Sequence, residues 1–229
     1  MNDSTKPKII AVIPCLNEQD FIRDVVTRTR KYTDEVIVVD DGSTDDTSGI
    51  ARAAGAQVIK HKTSRGAGAA TKDGFNAAKK GNADIVVTLD GDGQHNPDEM
   101  PRLLAPIIDA KADMVIGSRF IEPQTNIRRY RKFGIDVITF LYNFGSKVTI
   151  TDSQSGFRAH SRKLLESINI TEDSFGFSVQ VLIQARRKGM IITEVPISCI
   201  YHSQGSTLNP VRHGISVALT VVKLRLRRS

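Results

Sequence analysis

Glu35-Val36-Ile37-Val38-Val39-Asp40-Asp41-Gly42-Ser43-Thr44-Asp45 sets four unbroken β-branched residues ahead of two adjacent carboxylates and a glycine. A strand with one wet face alternates apolar and polar positions, so this run reads as buried on both faces, the habit of a parallel sheet. Similar runs recur at Lys8–Ile13, Gln57–Lys60, Ile85–Leu89 and Met114–Gly117. Helical stretches near Gln19–Lys31, Thr44–Ala54, Ala67–Lys80 and Pro97–Asp109 separate them. The alternation predicts an α/β fold: a Rossmann-like, mostly parallel central sheet wound by right-handed crossovers and flanked by helices. Ser43-Thr44 and Asn96-Pro97 are start signals for two of those helices. Open sheets of this kind bind ligands beyond the carboxyl ends of their strands, so the polar residues after each run are the candidates for a site.

The fourth run ends in Asp90-Gly91-Asp92-Gly93-Gln94-His95. Two carboxylates at i and i+2, freed by glycines, can turn toward one hard divalent cation, the alternative being a solvated turn. Gln94 adds a third oxygen, and positions stay open for a diphosphate, which suits Mg²⁺ or Mn²⁺. A calcium loop does not fit, because Pro101 stands where its closing Glu belongs. His95, in that turn, could ligate a metal, although a turn histidine is more often simply exposed. Asp40-Asp41 reads either as part of a helix cap with Ser43 and Asp45 or as an acceptor for the hydrogen bonds of a base or ribose. Arg65-Gly66-Ala67-Gly68 opens the third helix without the Gly-Lys-Ser/Thr of a P-loop, although such a start lets a nucleotide approach the backbone closely.

The 229 residues carry a net charge of +7 and a pI near 9.5, and suit one globular domain. With only Cys15 and Cys199, a disulfide framework and a four-Cys zinc site are excluded. No stretch reaches the roughly 18 apolar residues that cross a bilayer. Met1–Lys8 is polar and unlike a secretory signal, so a cytoplasmic location is expected. Four Tyr, nine Phe and no Trp leave no basic and aromatic stripe for nucleic acid. The charge is uneven: residues 127–150 carry net +4 and residues 201–229 net +5, which leaves −2 for the rest. Both basic segments adjoin an apolar helical stretch, the composition of helices lying in a membrane interface, which predicts peripheral docking on the anionic cytoplasmic face. No linker or repeat divides residues 1–229. Residues 1–120 read as a nucleotide-sugar-binding half, and residues 121–229 as an acceptor and membrane-interface half.

Pro14-Cys15-Leu16-Asn17-Glu18, Val38-Val39-Asp40-Asp41-Gly42-Ser43, Arg65-Gly66-Ala67-Gly68-Ala69, Asp90-Gly91-Asp92-Gly93-Gln94-His95, Gly117-Ser118-Arg119, Ser155-Gly156-Phe157-Arg158 and Glu194-Val195-Pro196-Ile197 follow one another along the chain. Taken in order, they resemble the motif series of the family 2 glycosyltransferases, nearest the dolichol-phosphate mannosyltransferase and polyprenyl-phosphate hexosyltransferase branch. The resemblance implies a GT-A fold, a UDP- or GDP-linked sugar donor, a divalent metal and inversion at the anomeric carbon. By position, it implies that Pro14, Asn17, Glu18 and Val39 border the nucleotide pocket, beside Gly68, and that Asp41 receives the base. Asp90, Asp92 and Gln94 would hold the metal and the sugar diphosphate, with Arg119 facing the phosphates. Arg128, with Arg131 and Lys132, would bind the phosphate of a polyprenyl or dolichyl acceptor. Asp92, Arg119 and Arg128 are thus the candidate catalytic residues. His202 stands where the dolichol enzymes carry an Arg near the donor, and Lys132 where they tend to have Ser.

The acceptor decides what else the site needs. A lipid phosphate is already anionic and asks only for cations, whereas a sugar hydroxyl needs a carboxylate base, for which Glu172 and Asp173 are available. Family members that extend polysaccharides usually carry Gln-x-x-Arg-Trp, and the lack of any Trp favours the lipid phosphate. A nucleotidyltransferase or a nucleotide-binding protein is the other class of reading. Against it, the acidic Pro14–Glu18 stretch lacks the Gly-rich basic motif expected after a nucleotidyltransferase's first strand.

Overall fold

The computed structural model describes residues 6–122, 129–144, 149–200 and 220. Its strands are β1 (Ile9–Cys15), β2 (Glu35–Asp40), β3 (Gln57–Lys60), β4 (Ile85–Thr88), β5 (Met114–Ser118), β6 (Arg158–Ser161) and β7 (Ile192–Pro196). Its helices are α1 (Ile22–Thr29), α2 (Thr47–Ala53), α3 (Ala67–Lys80), α4 (Met100–Ile108), α5 (Arg129–Asn143), α6 (Arg162–Ser167) and α7 (Phe177–Arg187). One seven-stranded sheet runs β3-β2-β1-β4-β6-β5-β7. Every pairing is parallel except those of β6, which is antiparallel to both of its neighbours.

The pleat sends successive side chains to opposite faces, and both faces are covered. Ile10, Val12, Ile37, Val39, Val86 and Ile116 pack on one side with Phe75 of α3 and Leu182 of α7. Ile9, Ala11, Ile13, Val36, Val38 and Val87 pack on the other with Ile22 and Val25 of α1 and Leu103 of α4. This double burial is what the continuous Val and Ile runs require. Among the described residues, no helix is long and apolar enough to cross a membrane.

Two differences from the sequence pattern matter for the site. The first and second helices begin late, because residues 17–19 and 43–47 are stitched to one another instead of winding into helix. Asp45 accepts from Gln19 N at 3.2 Å and from Thr47 N at 3.0 Å, so α2 starts at Thr47 and not at Thr44. The second difference is β6, whose Arg158-Ala159-His160-Ser161 has no apolar run to announce a strand. Arg158 and His160 are nevertheless buried. Arg158 Nε, Nη1 and Nη2 donate to the carbonyls of Ser155, Ser178 and Ser153 at 2.7, 2.8 and 2.7 Å. His160 Nδ1 lies 3.3 Å from the Val86 carbonyl, with its ring edge-on to Phe75. Polar side chains supplied with such partners can fill a buried strand.

Register then gathers the motifs. Cys15 pairs with Asp40, Val12 with Thr88, Thr88 with Arg158, and Ser118 with Pro196. The ends of β1, β2, β4, β5 and β7 and the beginning of the reversed β6 therefore share one edge of the sheet.

Candidate active site

At that edge the Pro14–Glu18 stretch is fixed by the end of β2. Asn17 takes a left-handed conformation (φ +57°), which Asn tolerates better than most residues. Its N–H donates to Ser43 Oγ at 2.9 Å, and its Oδ1 accepts from Thr44 N at 2.9 Å. Glu18 N donates to Thr47 Oγ1 at 2.8 Å. Pro14 lines a small cavity beneath Asp90, together with Phe75, Arg158, His160 and Phe177.

Three residues assigned to the nucleotide occupy different surroundings. The Val39 side chain is wholly buried against Gly74 of α3, because its place in the pleat points it into the core and not into a pocket. Gly68 does approach a backbone closely, but the backbone is the protein's own: a Cβ there would stand 2.0 Å from the Glu172 carbonyl oxygen. Gly68 N donates to the Asp173 carbonyl at 2.8 Å, so the glycine-rich start of α3 seats the 172–174 segment where a nucleotide was expected. Asp41 uses both carboxylate oxygens internally, accepting from His61 Nδ1 (2.6 Å), Ser64 Oγ (2.7 Å), Arg65 N (2.9 Å) and Gly66 N (2.8 Å). Burial alone would raise its pKa, but these donors hold the carboxyl below the usual range. Asp41 therefore fastens residues 61–66 to the sheet, and a base arriving there has to share or displace its donors.

The Asp90–His95 turn is braced from within. Asp92 Oδ1 accepts from Gln94 N at 2.9 Å, and the Gln94 carbonyl accepts from Ile200 N at 2.9 Å. His95 is buried, contrary to the exposure expected of a turn histidine: it bridges to Cys199, lies 5.5 Å from the Phe157 ring and accepts a long bond from Asp90 N. Burial lowers its pKa to about 4, so it is a neutral brace. Asp90 sits in a notch left by Gly156, whose carbonyl accepts from Thr88 Oγ1 at 2.9 Å.

Burial, and then the charges of Asp92 and Asp90, push the Glu18 carboxyl up to about 8. Such crowding of carboxylates is what a divalent cation relieves, and the oxygen-only donor set fits Mg²⁺ or Mn²⁺. Among the described residues, no three His, Cys, Asp or Glu are grouped so as to hold a metal ion by themselves. A cation held by Asp90 and Asp92 would need further oxygens from its ligand or from water.

Arg119 follows β5 and is almost enclosed. Its Nε and Nη2 donate to the two oxygens of the fully buried Asp152 at 2.7 and 2.9 Å, a bidentate pair. Burial would raise Asp152, but Arg119 holds it below the normal carboxylate range. Glu194 of β7 secures this segment, accepting from Thr151 N at 2.7 Å and Asp152 N at 2.9 Å. Arg119 Cζ and Lys132 Nζ lie 5.7 and 5.2 Å from the centroid of the same ring, Phe120. The structure thus brings Asp90, Asp92, Glu18, Arg119 and Lys132 to one edge. Arg128 and His202, and the side chain of Arg131, lie outside the described residues.

Sequence reasoning gave no role to Asp152, Phe120, Arg158, Gly156 or Glu194. The last three stand inside motifs quoted for the resemblance, whereas Asp152 and Phe120 have no signal short of the fold.

The fold is that of a GT-A glycosyltransferase. The "Glycosyl transferase family 2" description matches residues 10–168, and the chain belongs to that family. Among its relatives is the UDP-N-acetylglucosamine--dolichyl-phosphate N-acetylglucosaminyltransferase of Methanococcus voltae, 34% identical over 84% of this chain and 86% of the relative. The dolichyl-phosphate hexose transferase of Haloferax volcanii is 31% identical over 99% of this chain and 97% of its own. Glucosyl-3-phosphoglycerate synthase of Mycobacterium tuberculosis, crystallised with Mn²⁺ and UDP-glucose, superposes with a TM-score of 0.71 at 26% identity, over 94% of this chain and 79% of the other.

Proposed function

We propose that this glycosyltransferase moves a hexose from a UDP- or GDP-linked donor to a polyprenyl or dolichyl phosphate, with inversion. The observation that carries the reading is the Phe120 ring shared by Arg119 and Lys132. Lys132, a cation of α5 that is also paired with Asp136, thus packs on the same ring as the cation expected to face the donor diphosphate. An anionic acceptor held there needs no base: cations position its oxygen behind the anomeric carbon, and the leaving diphosphate is received on the opposite side. Asp90 and Asp92, with Gln94, would hold Mg²⁺ or Mn²⁺, whose charge would offset that of the departing diphosphate. The names of the Methanococcus and Haloferax relatives support the acceptor, and the Mn²⁺ and UDP-glucose of the mycobacterial enzyme support the metal and the class of donor.

The same helix supports peripheral docking on an anionic membrane face. Phe133, Val137, Phe140 and Phe144 recur at helical spacing and are exposed, three of them by 65–71%, while Ile138 and Tyr142 hold the opposite face in the core. An apolar stripe beside Lys and Arg is what a membrane interface accepts.

Product analysis tests the reading. UDP- and GDP-sugars are offered with a short polyprenyl phosphate or with free sugars, in the presence and absence of Mn²⁺. Metal-dependent transfer to the lipid phosphate is expected, and transfer to sugar hydroxyls alone would refute it. Sedimentation with anionic liposomes at low salt tests docking separately, and a protein left in the supernatant defeats that part.

A further inference from the structure

On the reading that Asp90 and Asp92 hold a divalent cation, we infer that Glu99 is a positioning residue. It clasps residues 197–200, a strap that crosses the sheet edge and holds the Asp90–His95 turn in place relative to the end of β5.

The strap begins where β7 stops. Ile197 N donates to the Ser118 carbonyl at 3.0 Å, so the chain leaves β7 still attached to the last residue of β5, beside Arg119. Three residues later it has reached the turn after β4: Cys199 bridges to His95, and Ile200 N donates to the Gln94 carbonyl at 2.9 Å. In the sheet, β6 lies between β4 and β5. The strap therefore joins two strand ends that do not pair with each other. Its far end falls on the residue that orients Asp92, because Gln94 N donates to Asp92 Oδ1 at 2.9 Å.

Between these attachments stands Ser198, and Glu99 holds it. The Ser198 N–H lies 3.1 and 3.0 Å from the two Glu99 oxygens, and Ser198 Oγ donates to Oε2 at 3.0 Å. Glu99 directly precedes α4, yet its side chain makes no capping bond to that helix. Arg102 stands 3.9 Å away and is largely exposed, whereas the Glu99 side chain is only 14% exposed. Taking a carboxylate this far out of water is costly unless strong hydrogen bonds replace its hydration. Those bonds come from the strap. With the clasp open, Gln94 loses its hold on Ile200 and Asp92 its fixed neighbour, and ligands that are poorly oriented bind a cation more weakly.

The test measures Mn²⁺ binding, by calorimetry with the metal alone, and amide hydrogen exchange in metal-free protein, for the full-length wild type, E99Q and E99A. E99A is expected to bind Mn²⁺ about 10-fold more weakly. Its Ile200 amide is expected to exchange about 10-fold faster, while that of Val38, in the core of the sheet, changes by less than about 3-fold. E99Q, whose amide oxygen still accepts from Ser198, is expected to stay within about 3-fold of the wild type in both measurements. Wild-type Mn²⁺ binding in E99A overturns the inference. So does an E99Q as weak as E99A, since the effect would then lie in the charge and not in the clasp. Equal acceleration of Ile200 and Val38 also overturns it, because that is a loss of global stability. If E99A does not fold, E99D takes its place: it keeps the charge and draws the carboxylate back by one methylene. Weaker Mn²⁺ binding is expected of it, and wild-type binding overturns the inference. A wild type that binds no Mn²⁺ instead removes the cation site of the proposed function, and the clasp is then decided by the exchange of Ile200 alone.

Discussion

The carboxylate of Asp90 fills the space that a side chain on Gly156 would take: a Cβ built there stands 2.5 and 2.7 Å from its two oxygens. A residue at the end of β4 is thus seated by one just before β6, in a different part of the chain. Replacing Gly156 by Ala forces Asp90 out of its notch. Displacements of this size at a reacting centre cost on the order of 100-fold in rate. The G156A variant is expected to lose about that much metal-dependent transfer, with a circular dichroism spectrum like that of the wild type. Wild-type turnover would show that Asp90 tolerates the shift.

Asp92→Ala removes one of the two carboxylates of the proposed cation site, a position where no side chain is needed to fill the core. Transfer is expected to vanish while the thermal midpoint stays close to that of the wild type. Measurable metal-dependent activity in D92A would rule out its assignment as a ligand.

Asp41 collects four donors from residues 61–66, so its first duty is to the fold. D41A leaves those donors without their acceptor and is expected to lose about 3 kcal/mol of unfolding free energy. Urea denaturation in the absence of nucleotide measures this. An Asp41 whose only task was to receive a base would leave that curve unmoved.

His160 sets an acid limit. Burial first, and then the charge of Arg158, lowers its pKa to about 3, while in the unfolded chain it takes a proton near the ordinary value of 6.5. Between those values the unfolded state binds more protons, so this group's contribution to stability falls as pH drops from 6.5 toward 3, by up to about 1.4 kcal/mol per unit. Above 6.5 the contribution is constant. Denaturation midpoints of the wild type and H160Q, compared at pH 7, 5.5 and 4.5, are expected to converge on acidification. Parallel lines would mean that His160 titrates alike in both states.

Much of this was readable in the chain, for a physical reason. β2 matches its Val-rich run end for end, because a strand buried on both faces leaves no room for polar residues to blur the pattern; the edge strand β3 keeps its bounds too, although Gln57 and Lys60 are exposed. α3 matches as well, bounded by Gly66 and Gly81. The carboxylates of Asp90 and Asp92 are legible because two acids between glycines at a strand end are costly without a purpose. Legibility ends where a buried position is filled by charge. β6 is invisible to hydrophobic periodicity because Arg158 and His160 find their partners in carbonyls far along the chain. Asp152 looks like any loop acid until the sheet brings Arg119 to it. Val39, Asp41 and Gly68 show the reverse limit: a motif marks a residue as needed, but packing decides whether it serves the ligand or the scaffold.

The reversed strand β6 also fixes an order of assembly. β3, β2, β1 and β4 can pair with one another using only the first 88 residues. Among the described residues β5, complete at Ser118, pairs with β6 and β7 alone, both of which come later. During synthesis it must wait for residues 158–161 before it can join the sheet, with α4, made just before it, covering one of its faces meanwhile. The site inherits that delay, because Asp152 and Gly156 arrive on the segment that leads into β6. A nascent chain of 120 residues holds both carboxylates of the proposed cation site and Arg119, and lacks Asp152 and Gly156, which contact Arg119 and Asp90 in the finished fold.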